Sequence, residues 1–169
     1  MFRRCCLAVI AGALAVAAMA AADPEFRERR PAPVRSMNLS YLSNPSYPTG
    51  SVPQSTWNGV FTEVQASEGA ALYRSHCASC HGDALGGGEA VPALVGVTFS
   101  ATWEGVPLFD LYDRVRTTMP PGKTGVLARS GYASLVAYLL KSNGMPAGEK
   151  TLGADKASLM GLVYRTNRP

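Results

Sequence analysis

Four side chains able to bind a metal or form a covalent link fall within six residues: His76, Cys77, Cys80 and His81, in the stretch SHCASCHG. Structural zinc needs four ligands, commonly from two separated pairs. Here all four sit on one short backbone segment that cannot easily wrap them around an ion, and no second pair follows. Iron–sulfur clusters need about four thiolates and fail on the same count. A redox dithiol calls for a βαβ setting around the pair, which the flanking sequence does not offer. The remaining chemistry is covalent haem. Cys77 and Cys80 lie three apart, so both sulfurs reach one side of a helical turn, and His81 follows directly, as the C-x-x-C-H attachment signature requires. The expected cofactor is one haem c per chain, held by thioether bonds to Cys77 and Cys80 with His81 on the iron. His76, beside the attachment site, would have to cross to the far side of the ring and is read as a bystander.

A sixth iron ligand would come from Met37, Met119, Met145 or Met160. Met119 stands 38 residues after His81, which leaves enough chain to pass the ring edge. It is followed by Pro120 and Pro121, and two prolines stiffen the loop that would present it. Met119 is the preferred ligand and Met145, before Pro146, the alternative; the competing role for either is that of a gap-filling core residue. Ligation by His and Met raises the reduction potential and closes the iron to substrates, which favours electron transfer over oxygen or peroxide chemistry.

Three helices must position these residues. TEVQASEGAALYRSHC reads as a helix capped by Thr62 and ending near Ser75. PLFDLYDRVRTT opens with Pro107 at the first helical position and repeats Leu108, Leu111, Tyr112 and Val115 at helical spacing. YASLVAYLLKSNG places Leu135, Val136, Leu139 and Leu140 on one face and stops at Gly144. Between them, GDALGGGEAVPALVG and TTMPPGKTG read as loops. One further short helix is expected near Ala157 to Tyr164. No alternating β-branched run suggests a sheet. The expected fold is all-α: three to four helices around one covalent haem, preceded by an extended arm. A domain this small gains from a large apolar cofactor, which supplies buried surface its side chains lack.

The first 22 residues read as a secretory signal: Arg3 and Arg4, an uncharged apolar run from Leu7 to Ala18, then small residues in AMAAAD. The run is shorter than the roughly 20 residues a membrane-spanning helix needs. Cys5 and Cys6 precede it and receive no role. The expected division is 1–22 signal peptide, 23–61 proline-rich arm or linker, 62–147 haem domain, and 148–169 C-terminal tail. Loss of Arg3 and Arg4 leaves 14 basic against 12 acidic residues, without the dense basic and aromatic interleaving of a nucleic-acid surface. GKT at 122–124 is no phosphate loop, because Thr117 stands where glycine is needed. The triple glycine 86–88 reads as a tight loop, and Asp110, Asp113 and Arg114 as a solvated helix face. Two histidines in all, one of them on iron, leave little for acid–base catalysis, so no catalytic residues are expected.

The segments GAALYRSHCASCHG, VPALVG, TTMPPG and LVAYLLKSNGMP together resemble a class I, mitochondrial-type c-type cytochrome. More narrowly they resemble the small cytochrome domains that accompany periplasmic quinoprotein (PQQ-dependent) dehydrogenases. The resemblance spans about Gln65 to Ala147. It implies that Gly69 and Tyr73 meet Tyr138 where the first and last helices cross. It implies that the Pro92 carbonyl accepts the Nδ1–H of His81, that Leu94 packs on the haem face, and that Trp103 and Arg116 approach the propionates. The link from His81 to Pro92 is shorter than in larger members, which implies a more exposed haem edge.

The expected function is a periplasmic one-electron carrier. It would accept electrons from a dehydrogenase, a quinoprotein by resemblance, and pass them toward a respiratory oxidase or another cytochrome. Two alternatives stand beside it: a haem c subunit permanently bound in a multi-subunit dehydrogenase or oxidase, and a haem enzyme or gas sensor with an open iron. No nucleic-acid partner and no membrane span after signal cleavage are expected. Residues 62 to 144 carry six basic and seven acidic side chains. Docking is therefore expected through weak apolar contact at the haem edge rather than through a lysine ring.

Overall fold

A computed structural model describes residues 53–168. The expected signal peptide, most of the arm and Met37 lie outside the described residues. The chain order is β1 (Gln54–Ser55), a single 3-10 turn (Thr56–Asn58), α1 (Glu63–His76), α2 (Ala78–His81), α3 (Gly96–Trp103), α4 (Leu108–Thr118), α5 (Arg129–Ser142), α6 (Lys156–Met160) and β2 (Leu162–Val163). Among the described residues the fold is small and mostly helical, as the all-α expectation has it.

The frame is the crossing of α1 and α5. Helix α1 starts where the Thr62 hydroxyl accepts the Gln65 amide at 3.1 Å, with Glu63 in the first turn facing the positive end of the helix. It buries Gln65, Ala66, Gly69 and Tyr73. A Cβ at Gly69 would lie 1.8 Å from the Ser134 carbonyl oxygen, so only glycine lets the two backbones approach this closely. One turn on, the Tyr73 and Tyr138 rings pack at 5.3 Å. Helix α5 is buried beyond the single face expected. Tyr132, Ala133, Ser134 and Ala137 are covered as well as Leu135, Val136, Leu139 and Leu140, because α1 and α4 both pack on it and its remaining side faces a cavity. It ends at Asn143, followed by Gly144 at φ +86°.

Helix α4 begins one residue later than the sequence suggests. Pro107 is its cap, with ψ 141°, because its backbone is extended and bridges Val163. Helix α3 was not expected. It has no capping side chain of its own and is rich in Val, Thr, Ser and aromatics, which are middling helix formers. Its first amide is satisfied from outside: Gly96 N–H donates to the Asn143 side-chain oxygen at 3.1 Å. Thus the end of α5 caps the start of α3.

Residues on both sides of the expected 62–147 domain pack into the same unit. Phe61, Leu152, Leu159, Val163 and Tyr164 are all buried. β1 and β2 pair in parallel, Gln54 with Leu162 and Ser55 with Val163. The Gln65 side chain binds Leu152 as a second strand would, donating to its carbonyl at 2.9 Å and accepting its amide at 2.7 Å. The tail helix expected near Ala157 to Tyr164 is α6, capped by Asp155, whose carboxylate accepts the Ser158 amide at 2.9 Å.

Candidate functional site

The site forms where α1 breaks. Cys77 has φ −127° and ψ −34°, a kink between α1 and the single turn α2. The Cys77 carbonyl accepts the amides of Cys80 (3.1 Å) and His81 (3.0 Å), which winds Cys77, Cys80 and His81 into one turn. The Tyr73 hydroxyl donates to the Gly82 carbonyl at 2.6 Å and pins the exit of that turn to α1. Burial pushes the Tyr73 phenol up to about 12, with smaller contributions from Cys77, Tyr138 and Asp83. Cys77 is half-buried and Cys80 exposed; burial, then its neighbour Cys80, raises the Cys77 thiol.

His81 is buried, and its Nδ1 lies 3.0 Å from the Pro92 carbonyl oxygen. A carbonyl can only accept, so Nδ1 carries the proton and the Nε2 lone pair is left free to bind a metal. The loop that delivers Pro92 is built tightly. Gly87 N–H donates to the His81 carbonyl (2.9 Å), Gly88 N–H to Val91 (2.8 Å) and Leu94 N–H to Leu85 (2.8 Å). Of the three consecutive glycines only Gly87 is constrained: its φ is +70° and a Cβ there would sit 2.3 Å from the Val91 carbonyl oxygen, whereas Gly86 and Gly88 face open space.

His81, Cys77 and Cys80 open onto a cavity of about 240 Å³. Its walls are Phe99 and Trp103 from α3, Leu111 and Val115 from α4, and Leu135 and Leu139 from α5, with Pro92 and Leu94 from the loop. Met119 also lines it. Met145 and Met160 are instead buried in the core and do not line it, at 3% and 7% exposure. The structure therefore brings Cys77, Cys80, His81, Pro92, Leu94 and Met119 to one cavity. His76 borders it too. The two residues named for the propionates part company: Trp103 lines the cavity, but Arg116 does not and pairs with Asp113 at 2.7 Å. Arg114, assigned from sequence to a solvated face, is exposed and also borders the cavity.

Asn143 was missed altogether. Besides capping α3, its side-chain amide donates to the carbonyls of Leu94 (3.0 Å) and Leu139 (2.8 Å), so it fixes the loop wall and the end of α5 together. Phe99 escaped because the helix carrying it has no local signal.

Among the described residues no three His, Cys, Asp or Glu side chains converge to hold an ion. The donor set is one imidazole with its proton held elsewhere, two thiols and one thioether, around an apolar cavity. That set fits haem c: thiols for vinyl groups, nitrogen and thioether sulfur for iron, apolar walls for the ring.

Residues 64–139 match the family model described as "Cytochrome C oxidase, cbb3-type, subunit III". With the C-x-x-C-H turn and the helical fold around it, this segment is a c-type cytochrome domain, a haem-binding unit of electron transfer. Among solved structures, the chain is similar to one titled "Crystal Structure of the Sulfane Dehydrogenase SoxCD from Paracoccus pantotrophus", with 23% identity and a TM-score of 0.43 over 68% of this chain. It spans 66% of that structure's chain, just under two thirds. No curated protein shows significant similarity to the chain.

Proposed function

We propose that the chain is a periplasmic one-electron carrier, in which Cys77 and Cys80 hold one haem c covalently and His81 and Met119 ligate its iron. The observation that carries the reading is the His81 ring: Nδ1 is bound to the Pro92 carbonyl at 3.0 Å, and among the described residues Met119 is the methionine bordering the same cavity. When bound, haem supplies a one-electron ferric–ferrous couple. The protein's residues do the rest. Pro92 fixes the tautomer and orientation of His81. Phe99, Leu94, Leu111, Val115 and Leu139 exclude water, which favours the less charged ferrous state. Met119, which borders the cavity, would supply a thioether sulfur to the iron and leave it closed to substrates.

The proposed donor is a dehydrogenase, by resemblance a quinoprotein, and the proposed acceptor a respiratory oxidase or another cytochrome. The signal-like residues 1–22 support export to the periplasm. Among the described residues no helix is long and apolar enough to cross a membrane. A second reading, a subunit held permanently in a larger complex, is supported by the family description, which names an oxidase subunit.

The test is affinity purification of the full chain from its native periplasm at low and high salt. A free carrier elutes alone, with a dehydrogenase captured only after cross-linking; a subunit brings its partner at fixed stoichiometry under both conditions. Haem on the chain but no Met–iron band in the far-red spectrum of the ferric protein would turn the assignment to an open-iron enzyme or sensor.

A further inference from the structure

The C-terminal segment lies beyond the residues that match the family, yet it buttresses the cavity. Residues 161–166 run between two other pieces of chain. On one side Gln54 N–H donates to Gly161 (2.8 Å), Trp57 Nε1–H to the Arg165 carbonyl (2.9 Å) and Arg165 N–H to the Thr56 hydroxyl (3.2 Å). On the other, Gly105 N–H donates to the Tyr164 carbonyl (2.9 Å) and Tyr164 N–H to the Val106 carbonyl (3.0 Å). Glu104 closes the end, accepting Thr166 through amide and hydroxyl at 2.6 Å each. Residues 104–106 are the link out of α3.

The side chain of Tyr164 completes the connection. It is 1% exposed and does not line the cavity. Its ring meets Phe99 edge-on at 5.9 Å, and Phe99 in turn meets Trp103 at 6.2 Å. Its hydroxyl bonds the Ser100 hydroxyl at 3.0 Å. Phe99 and Trp103 are α3 side chains that wall the cavity. Helix α3 has no capping side chain of its own, so packing from outside holds it in place.

We propose that Tyr164 is a positioning residue for the cofactor: through Phe99 and Ser100 it holds α3 against the cavity and keeps water from the face that α3 lines. The inference rests on the haem reading for its effect on the iron, but its effect on α3 stands apart from it. A loosened α3 admits water, and solvation favours the more charged ferric state, so the reduction potential falls.

The experiment compares wild type with Tyr164→Ala, Tyr164→Phe and Leu159→Ala, each as the full chain. Leu159 is fully buried on α6, which packs on α4 and on β2, and serves as the control for a general loss of core packing beside the same strand. Two quantities are read: amide hydrogen exchange at residues 96–103 and the midpoint potential. Tyr164→Ala is expected to speed exchange in α3 at least tenfold while α1 and α5 keep their protection. It is also expected to shift the ferric–ferrous equilibrium at least tenfold toward ferric, about 59 mV for one electron. Tyr164→Phe keeps the ring and is expected to restore both to within a factor of about three of wild type. Leu159→Ala lowers the melting temperature and moves neither. If Tyr164→Ala does not accumulate, Tyr164→Leu, which keeps apolar volume, takes its place with the same expectations. Exchange in α3 that matches the Leu159→Ala protein, or a potential equal to wild type, overturns the proposal. A wild-type chain that carries no haem refutes the haem reading instead, and the exchange comparison then decides the positioning role alone.

Discussion

Replacing Gln65 by leucine removes the one side chain that pairs with both backbone groups of Leu152 (2.9 and 2.7 Å) inside the core. Leucine fills similar volume but offers no partner. Two outcomes then compete. If the tail stays in place, a buried N–H and a buried C=O are left unpaired, each costing about 1–3 kcal/mol. If the tail detaches locally, water satisfies both groups, but burial of the Leu152 side chain is forfeited, about 2 kcal/mol. The cheaper route sets the loss, so Gln65→Leu should cost about 2 kcal/mol. For a unit of this size that lowers the melting temperature by roughly 8 °C. Urea unfolding followed by circular dichroism should show a lower midpoint with an unchanged slope. Gln65→Glu sharpens the test. A protonated carboxyl can accept from Leu152 N–H and donate to its carbonyl, as the amide does, whereas a carboxylate would face the carbonyl oxygen. The folded-state pKa of the introduced carboxyl is therefore raised above its unfolded value of about 4.3. Its stabilising contribution is present below that value and lost as pH rises through the folded pKa. Measured against wild type at each pH, the Gln65→Glu deficit should be smaller near pH 4 than at pH 7, both approximate settings on either side of that transition. A Gln65→Leu protein within about 0.5 kcal/mol of wild type, or a Gln65→Glu deficit that ignores pH, would show that the Gln65–Leu152 pairing does not hold the tail.

Other residues give equally direct tests. Gly87→Ala should cost about 1–3 kcal/mol and loosen the Pro92 loop, while Gly86→Ala, in open space, should be near neutral in thermal melting. Met119→Ala should abolish the far-red Met–iron band of the ferric protein with little loss of stability. Met145→Ala should keep the band and lose about 2–5 kcal/mol, because Met145 is a core residue. The Tyr73 phenol, pushed up to about 12 by burial, contributes stability that is complete below the ordinary value of 10 and lost as pH rises through about 12. Base titration of unfolding should show that slope in wild type and a weaker one in Tyr73→Phe.

The parts of this protein readable from sequence were those specified locally. The α1 cap at Thr62, the stop at Gly144 and the C-x-x-C-H turn each depend on a few adjacent residues, and the structure forms all three. The resemblance added the crossing of Gly69, Tyr73 and Tyr138, which the structure also forms. What was not legible rests on distant partners. Helix α3 is capped by Asn143 and buttressed by Tyr164, 47 and 64 residues from the atoms they bind. Pro107 looked like a first helical residue until its pairing with Val163 made its backbone extended. Arg114 and Arg116 occupy the same helix two residues apart, and only packing decides which borders the cavity. The docking of the tail was not legible because its anchor is the side-chain amide of Gln65, a residue that hydrophobic periodicity passes over.

Everything proposed for the iron depends on what Cys77 and Cys80 hold. The decisive measurement is the mass of the denatured full-length chain, expressed with a cytochrome c maturation system, beside the Cys77→Ala, Cys80→Ala double variant. The wild-type chain is expected to carry the added mass of a single haem through denaturation, and the double variant none. A wild-type chain of bare polypeptide mass with both thiols free, made under conditions that mature a control cytochrome, would contradict covalent haem attachment.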